Sequence, residues 1–198
     1  MEIPYTVERN PETGLSNGKI GIWLFLTSEV MLFGALFATY IMLRVGGADW
    51  QHDQMEAGLN IPLATVNTIV LITSSVTMVM AWASLVRRQL DRYRLFMLAT
   101  VAFGFVFLII KYFEYTAKFS HGHFPETSTF LAIYFTMTGL HGLHVIGGMA
   151  VNFYLAVPGA KLWQRNPQWL TDRVEHSGLF WHFVDLVWIF LFPVFYLL

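Results

Sequence analysis

Five titratable side chains stand inside stretches too apolar to hold them without help. Glu29 lies in "WLFLTSEVMLFGALF", His141 and His144 in "TMTGLHGLHVIGG", and His182 and Asp185 in "FWHFVDLVWIFLFPVFYLL". Three chemistries use such groups. Imidazoles on separate helices can clamp a haem or a metal, although three histidines without a cross-helix pairing pattern are a thin basis for it. A series such as Glu29, His144 and Asp185 can pass protons or ions through a membrane. The default is that these groups hydrogen-bond to one another and to partner subunits and fix helix packing without turnover.

The elements that position them are set by composition. Of the 198 residues 56% are hydrophobic and 13% charged, against roughly 25% charged in an ordinary soluble domain; mean hydropathy is +0.53. Too little polar surface is available to cover a globule in water, so apolar side chains must face lipid or other subunits. The absence of cysteine removes disulfides, thiolate metal sites, iron–sulfur clusters and cysteine nucleophiles. A net charge of −1 and no polybasic tail give no footing for nucleic acid. No serine–base pair, phosphate-cradling glycine loop or nucleotide motif appears, so chemistry on a soluble substrate is not expected.

A membrane-crossing helix needs about 20 mostly apolar residues, and the pattern predicts five, over 19–43, 62–86, 95–118, 128–157 and 174–197. The fold class expected is an all-α membrane protein, a cytoplasmic tail over 1–18 followed by a five-helix domain over 19–198. The tail is polar and holds Glu2, Glu8 and Glu12, unlike a cleavable signal, so the first span is expected to stay as an anchor. With the N-terminus inside, nine of the twelve lysines and arginines fall on inner segments, Arg44 and Lys118 fall outside and Lys111 lies within a span. Asp49, Asp53, Glu56, His121, His123 and the C-terminus are then outside.

Glu29 stands about 15 Å beyond Lys19, near mid-membrane. An ionised carboxylate there is costly, so Glu29 must be protonated, hydrogen-bonded inside the bundle, or solvated by water or a lipid headgroup. Its helical neighbours Phe25, Leu32 and Phe33 offer nothing polar, which sends the search to another helix. His141 and His144, three apart, are expected to share a face, and His182 and Asp185 to pair or to face one neighbour together. Glycines 139, 142, 147 and 148 would let another backbone come close. Lys111 and Glu114 read as an interfacial ion pair, and Trp50, Trp163 and Trp169 as anchors at the headgroup level. The basic run "RRQLDRYR" reads as a topology signal.

The chain resembles subunit III of the haem-copper respiratory oxidases, the cytochrome c and quinol oxidase family. "GIWLFLTSEVMLFGALFATY" is similar to that family's third helix with its buried glutamate, "TGLHGLHVIGG" to its sixth and "FWHFVDLVWIFLF" to its seventh. "IPLATVNTIVLITSSVTMVMAWASL" and "IIKYFEYTAKF" look like the fourth and fifth. The helices matching the first two of typical seven-helix members do not appear, so the lipid-filled cleft between those two and the other five carries over only if another subunit supplies the pair or lipids line an open groove; five-helix members occur in the family.

The resemblance implies a bacterial inner-membrane protein without a redox centre of its own. Haem and copper would reside in partner subunits, with subunits I and II and phospholipids as neighbours. It further implies that Lys19, Glu29, His141, His144, His182 and Asp185 form a lipid-ordering or buried polar network. Asp91, Asp172, Glu175 and His176 are expected as a proton-collecting surface at the cytoplasmic side. The rival readings are an accessory protein of a nitric oxide reductase, a stand-alone b-type cytochrome and a small proton-coupled transporter.

Overall fold

A computed structural model of the chain describes residues 16–47, 50–56 and 58–197. Residues 1–15 of the expected tail, Arg9 among them, and Asp49 lie outside the described residues, as do the side chains of Asp53, Glu56 and Arg165. The protein is all-α. The long helices are α1 (Asn17–Gly46), α3 (Ile61–Val86), α4 (Leu90–Ser120), α5 (Thr129–Ala156) and α7 (Pro167–Tyr196), with short α2 (Trp50–Glu56) and α6 (Leu162–Arg165) in the connections. Among the described residues, five helices are long and apolar enough to cross a membrane.

Local chemistry explains where they start. Ser16, Asn60, Ser128 and Asn166 each cap a helix by accepting a hydrogen bond from the backbone N–H of Lys19, Leu63, Leu131 and Gln168 respectively. Pro62 and Pro167 occupy the first turns of α3 and α7, where a missing N–H is harmless. Helices α4 and α7 begin earlier than the spans at 95 and 174. Hydropathy locates the part of a helix that sits in lipid, whereas the Asn166–Pro167 cap starts the helix itself.

Four helices close a ring: α3 packs on α4, α4 on α5, α5 on α7, and α7 returns to α3, while α1 lies across α7 and α5. The outer surface is apolar, with Met31, Met42 and Val45 among the most exposed side chains. Polar groups are drawn inward: Asn67, Ser74, Thr100 and Asn152 are fully buried. Lipid removes the hydrophobic drive between helices, so packing and interhelical hydrogen bonds must hold them together. Hydroxyls left on the outside, such as Thr27 and Thr39, donate to carbonyls of their own helix.

Trp181 shows how the ring is keyed. Its Nε1 donates to Ser74 Oγ of α3 at 3.0 Å. A Cβ on Gly148 of α5 would stand 2.8 Å from this indole and one on Gly104 of α4 3.0 Å, so two glycines make its slot. Gly148 therefore admits a tryptophan ring rather than a neighbouring backbone. Gly142 and Gly147 face open space, and a Cβ on Gly139 would meet only the Tyr115 hydroxyl at 4.0 Å. Trp50 is 4% exposed, set edge-on to Tyr40 and Phe130, and is thus a packing residue rather than a headgroup anchor.

Candidate functional site: buried polar pairs in the bundle

The partner that Glu29 requires comes from α5. His144 Nε2 stands 2.9 Å from Glu29 Oε2, and the two side chains are only 15% and 14% exposed. His144 Nδ1 lies 2.8 Å from the Leu140 carbonyl. A carbonyl oxygen can only accept, so Nδ1 carries a hydrogen and donates it. One further proton must then lie between Nε2 and Oε2, since two lone pairs would otherwise oppose each other. The pair thus holds a single shared proton and joins α1 to α5 inside the membrane. Phe33 meets the imidazole edge-on at 5.3 Å and Phe180 lies 6.2 Å away, so aromatic rings close around it.

Helix α1 has two further fastenings, one toward each end. Lys19 Nζ donates to Glu175 Oε1 at 2.6 Å. Tyr40 donates to the Val194 carbonyl at 2.8 Å, satisfying one of the last carbonyls of α7, which no intrahelical N–H reaches. The α1 strap is therefore tied at 19, 29 and 40.

The remaining candidates separate. His141 does not share the direction of His144. Three residues turn a helix by about 300°, so the two rings diverge by about 60°, and His141 points into the core. It is 1% exposed, between Phe107 at 5.6 Å and Trp188 at 5.4 Å, and neither nitrogen has a hydrogen bond among the described residues. His182 and Asp185 do not pair with each other. His182 Nδ1 meets Ser75 Oγ of α3 at 2.6 Å, whereas both oxygens of Asp185, 4% exposed, lack a hydrogen-bond partner among the described residues. Ser75 also faces Asp185, but its Oγ is the atom engaged with His182. Asp185 is thus not joined to the Glu29–His144 pair.

At the Lys19 end, Asp172, Glu175 and His176 gather on α7 with Lys19 in their electrostatic neighbourhood. A Cβ on Gly18 would stand 2.7 Å from the His176 ring, so the glycine lets that ring lie against α1. Asp91 stands in the first turn of α4 with its side chain exposed.

The densest polar cluster is one that sequence reasoning placed at the interface. Lys111 and Glu114 are paired, as the spacing suggests, but they are 8% and 7% exposed. Lys111 Nζ donates to Glu114 Oε2 at 2.9 Å, to Tyr196 at 2.9 Å and to Tyr134 at 3.3 Å. Both phenols donate onward to Glu114 Oε1, at 2.5 Å from Tyr196 and 2.9 Å from Tyr134. All three ammonium hydrogens have acceptors, and the Trp188 ring adds a cation–π contact at 4.8 Å. The cluster binds α4, α5 and α7. Tyr134, Tyr196, Ser75 and Tyr40 were not singled out in the sequence; the signal available was a lysine and a glutamate one turn apart between apolar runs, which need phenols or hydroxyls if they turn inward.

His144 and His182 bond to different helices and His141 to neither, and among the described residues no three histidine or carboxylate side chains converge as a metal site. Fold and site together define a multi-pass membrane protein whose ionisable groups tie helices to one another. The family described as cytochrome c oxidase subunit III matches residues 9–198, and the chain belongs to it. The cytochrome c oxidase subunit 3 of Bacillus sp. (strain PS3) is 33% identical over 198 residues, covering 98% of this chain and 92% of the relative. The probable quinol oxidase subunit 3 of Staphylococcus haemolyticus (strain JCSC1435) is 31% identical, covering 98% and 94%. The cytochrome bo(3) ubiquinol oxidase subunit 3 of Pseudomonas aeruginosa (strain PAO1) is 32% identical, covering 92% and 85%. The small share of the Bacillus protein outside the match is too short for two further spans of about 20 residues each.

Proposed function

We propose that this chain is the non-redox third subunit of a bacterial haem-copper terminal oxidase, stabilising the catalytic subunit and supporting proton uptake while oxygen is reduced. The observation that carries this is the match to relatives named as subunit 3 of cytochrome c and quinol oxidases over nearly the whole chain. In this reading haem and copper belong to the partner subunit I, with subunit II a further neighbour, and this chain lies in the inner membrane with its N-terminus cytoplasmic and its C-terminus outside.

Phospholipid is the structural ligand proposed. A groove of about 530 Å³ opens between α1, α5 and α7, lined by Ile22, Phe25, Val151 and Phe180, with Arg173 and His176 at its Lys19 end. It runs from the Arg173 guanidinium, suited to a phosphate, toward the rings beside Glu29–His144, which orders the acyl chain. Asp172, Glu175 and His176 would hold protons near the uptake entrance, with Asp91 a separate acceptor.

The test is isolation of the intact complex from membranes. The chain should co-purify with a subunit containing haem and copper, and purified alone it should show no Soret band. A Soret band from the isolated chain would overturn the proposal. Glu29→Ala in the complex should reduce retained phospholipid and shorten the lifetime of turnover; unchanged values would remove Glu29 from that role.

A further inference from the structure

His182 is a polar group whose needs the bundle meets only by half. Nδ1 is bonded to Ser75 Oγ across the α3–α7 seam. Nε2 has no partner among the described residues, yet it is not sealed inside the protein as both nitrogens of His141 are, and the residue is partly exposed. The surface beside it is apolar: Ile72 and Val76 of α3 and Leu186 of α7 are about half exposed. Helix α1 lies across α7 and α5 and so leaves the α3 side of α7 to other neighbours.

We propose that the α3–α7 seam at His182 is a docking line for a membrane helix of another subunit, and that this helix presents a hydrogen-bonding side chain to the imidazole. Depth selects the occupant. His182 lies roughly 10 Å beyond Glu175 along α7, and Ser75 roughly 18 Å from Arg87 along α3, so both stand well inside the charges that mark the interface. A phospholipid headgroup stays at the interface, acyl chains carry no hydrogen-bonding atom, and water is scarce on a lipid-facing surface at that depth. A protein side chain remains. Exposed hydroxyls elsewhere, such as Thr65 and Thr73 on α3, satisfy themselves on their own carbonyls; an imidazole whose first nitrogen is committed to another helix cannot.

The chemistry of the partner follows from Ser75. If its hydroxyl donates to Nδ1, Nε2 carries the hydrogen and seeks an acceptor; if it accepts from Nδ1, Nε2 seeks a donor. An amide, hydroxyl or carboxyl side chain serves in either case, and the flanking apolar residues supply the packing surface.

This inference rests on the chain being part of an oxidase complex, and the experiment separates the two. The complex is first isolated with Leu186 replaced by a photoreactive benzophenone residue. Failure of the wild-type chain to co-purify with a haem- and copper-containing subunit would count against the oxidase reading. With co-purification established, illumination should give a covalent adduct between this chain and another subunit; adducts with lipid alone would overturn the docking line. In parallel, His182→Phe should be lost from the complex roughly tenfold faster in detergent, the equivalent of one interhelical hydrogen bond in a membrane. His182→Gln, which keeps a hydrogen-bonding edge, should be retained like the wild type. Equal retention of the Phe variant would sink the proposal.

Discussion

Two of the ionisable pairs among the described residues, both largely shielded from solvent, are held under opposite regimes. Lys111 and Glu114 sit where three helices meet, and every hydrogen on the ammonium and both oxygens of the carboxylate are matched. Glu29 and His144 sit between α1 and the ring, linked by one contact. The first pair is neutralised by opposite charges and phenols, the second by one shared proton. Lys111–Glu114 is consequently a bolt whose parts cannot be removed singly, while Glu29–His144 is a latch on a helix that has few other ties.

The largest effect is expected from breaking the bolt on one side. Glu114→Leu leaves a buried ammonium and two phenols without their carboxylate, which should destabilise the chain by about 3–5 kcal/mol. Unfolding of the detergent-solubilised protein by SDS measures this. The double variant Lys111→Met with Glu114→Leu should recover most of the loss, because replacing a whole buried pair by apolar groups is often close to neutral. A double variant as unstable as the single would mean that the joint is carried by what remains of the cluster, the two phenols and the buried Lys118 that also faces Glu114.

Opening the latch should be milder and local. Glu29→Ala removes one hydrogen bond and leaves Nε2 bare, a loss of about 1–3 kcal/mol. Hydrogen exchange should then accelerate along α1 while α4 stays protected. Glu29→Gln should behave nearly as the wild type, since its amide can donate to Nε2. Uniform exchange across all helices in the Ala variant would show that α1 is part of the ring and not a strap.

The two pairs were not equally legible in the amino-acid sequence. A carboxylate at mid-span has no local means of satisfaction, so the need of Glu29 for another helix could be deduced, and His144 was among the few groups at the right depth. Which of His141 and His144 would turn toward α1 could not be read, because a 60° divergence between them is decided by the rotation of α5 against its neighbours. Five spans were visible as apolar runs long enough to cross a bilayer, but their true starts were hidden, since caps such as Asn166 act outside the apolar window. Lys111 and Glu114 fell near the end of a run, where hydropathy scores an inward charge and a snorkelling one alike. The two tyrosines that draw them inward come from α5 and α7, and their convergence is a property of the packed bundle alone.

Two smaller changes sharpen the strap picture. Tyr40→Phe deletes the hydrogen bond to the Val194 carbonyl and should cost about 1 kcal/mol, again read as faster exchange at the adjoining end of α1. The ion pair at the other end should matter least. Lys19 and Glu175 are close, at 2.6 Å, but their side chains are 36% and 32% exposed, so water and salt screen them and their contribution is at most about 1 kcal/mol. Lys19→Met should therefore shift SDS unfolding only slightly, and the shift should shrink further as salt is raised toward about 1 M, where the Debye length falls to about 3 Å and becomes comparable with the separation of the pair. The Glu29→Ala effect should persist through the same titration, since its partner is shielded from the electrolyte. If both effects faded together, the Glu29–His144 pair would be open to water and would act as a surface contact rather than a membrane latch.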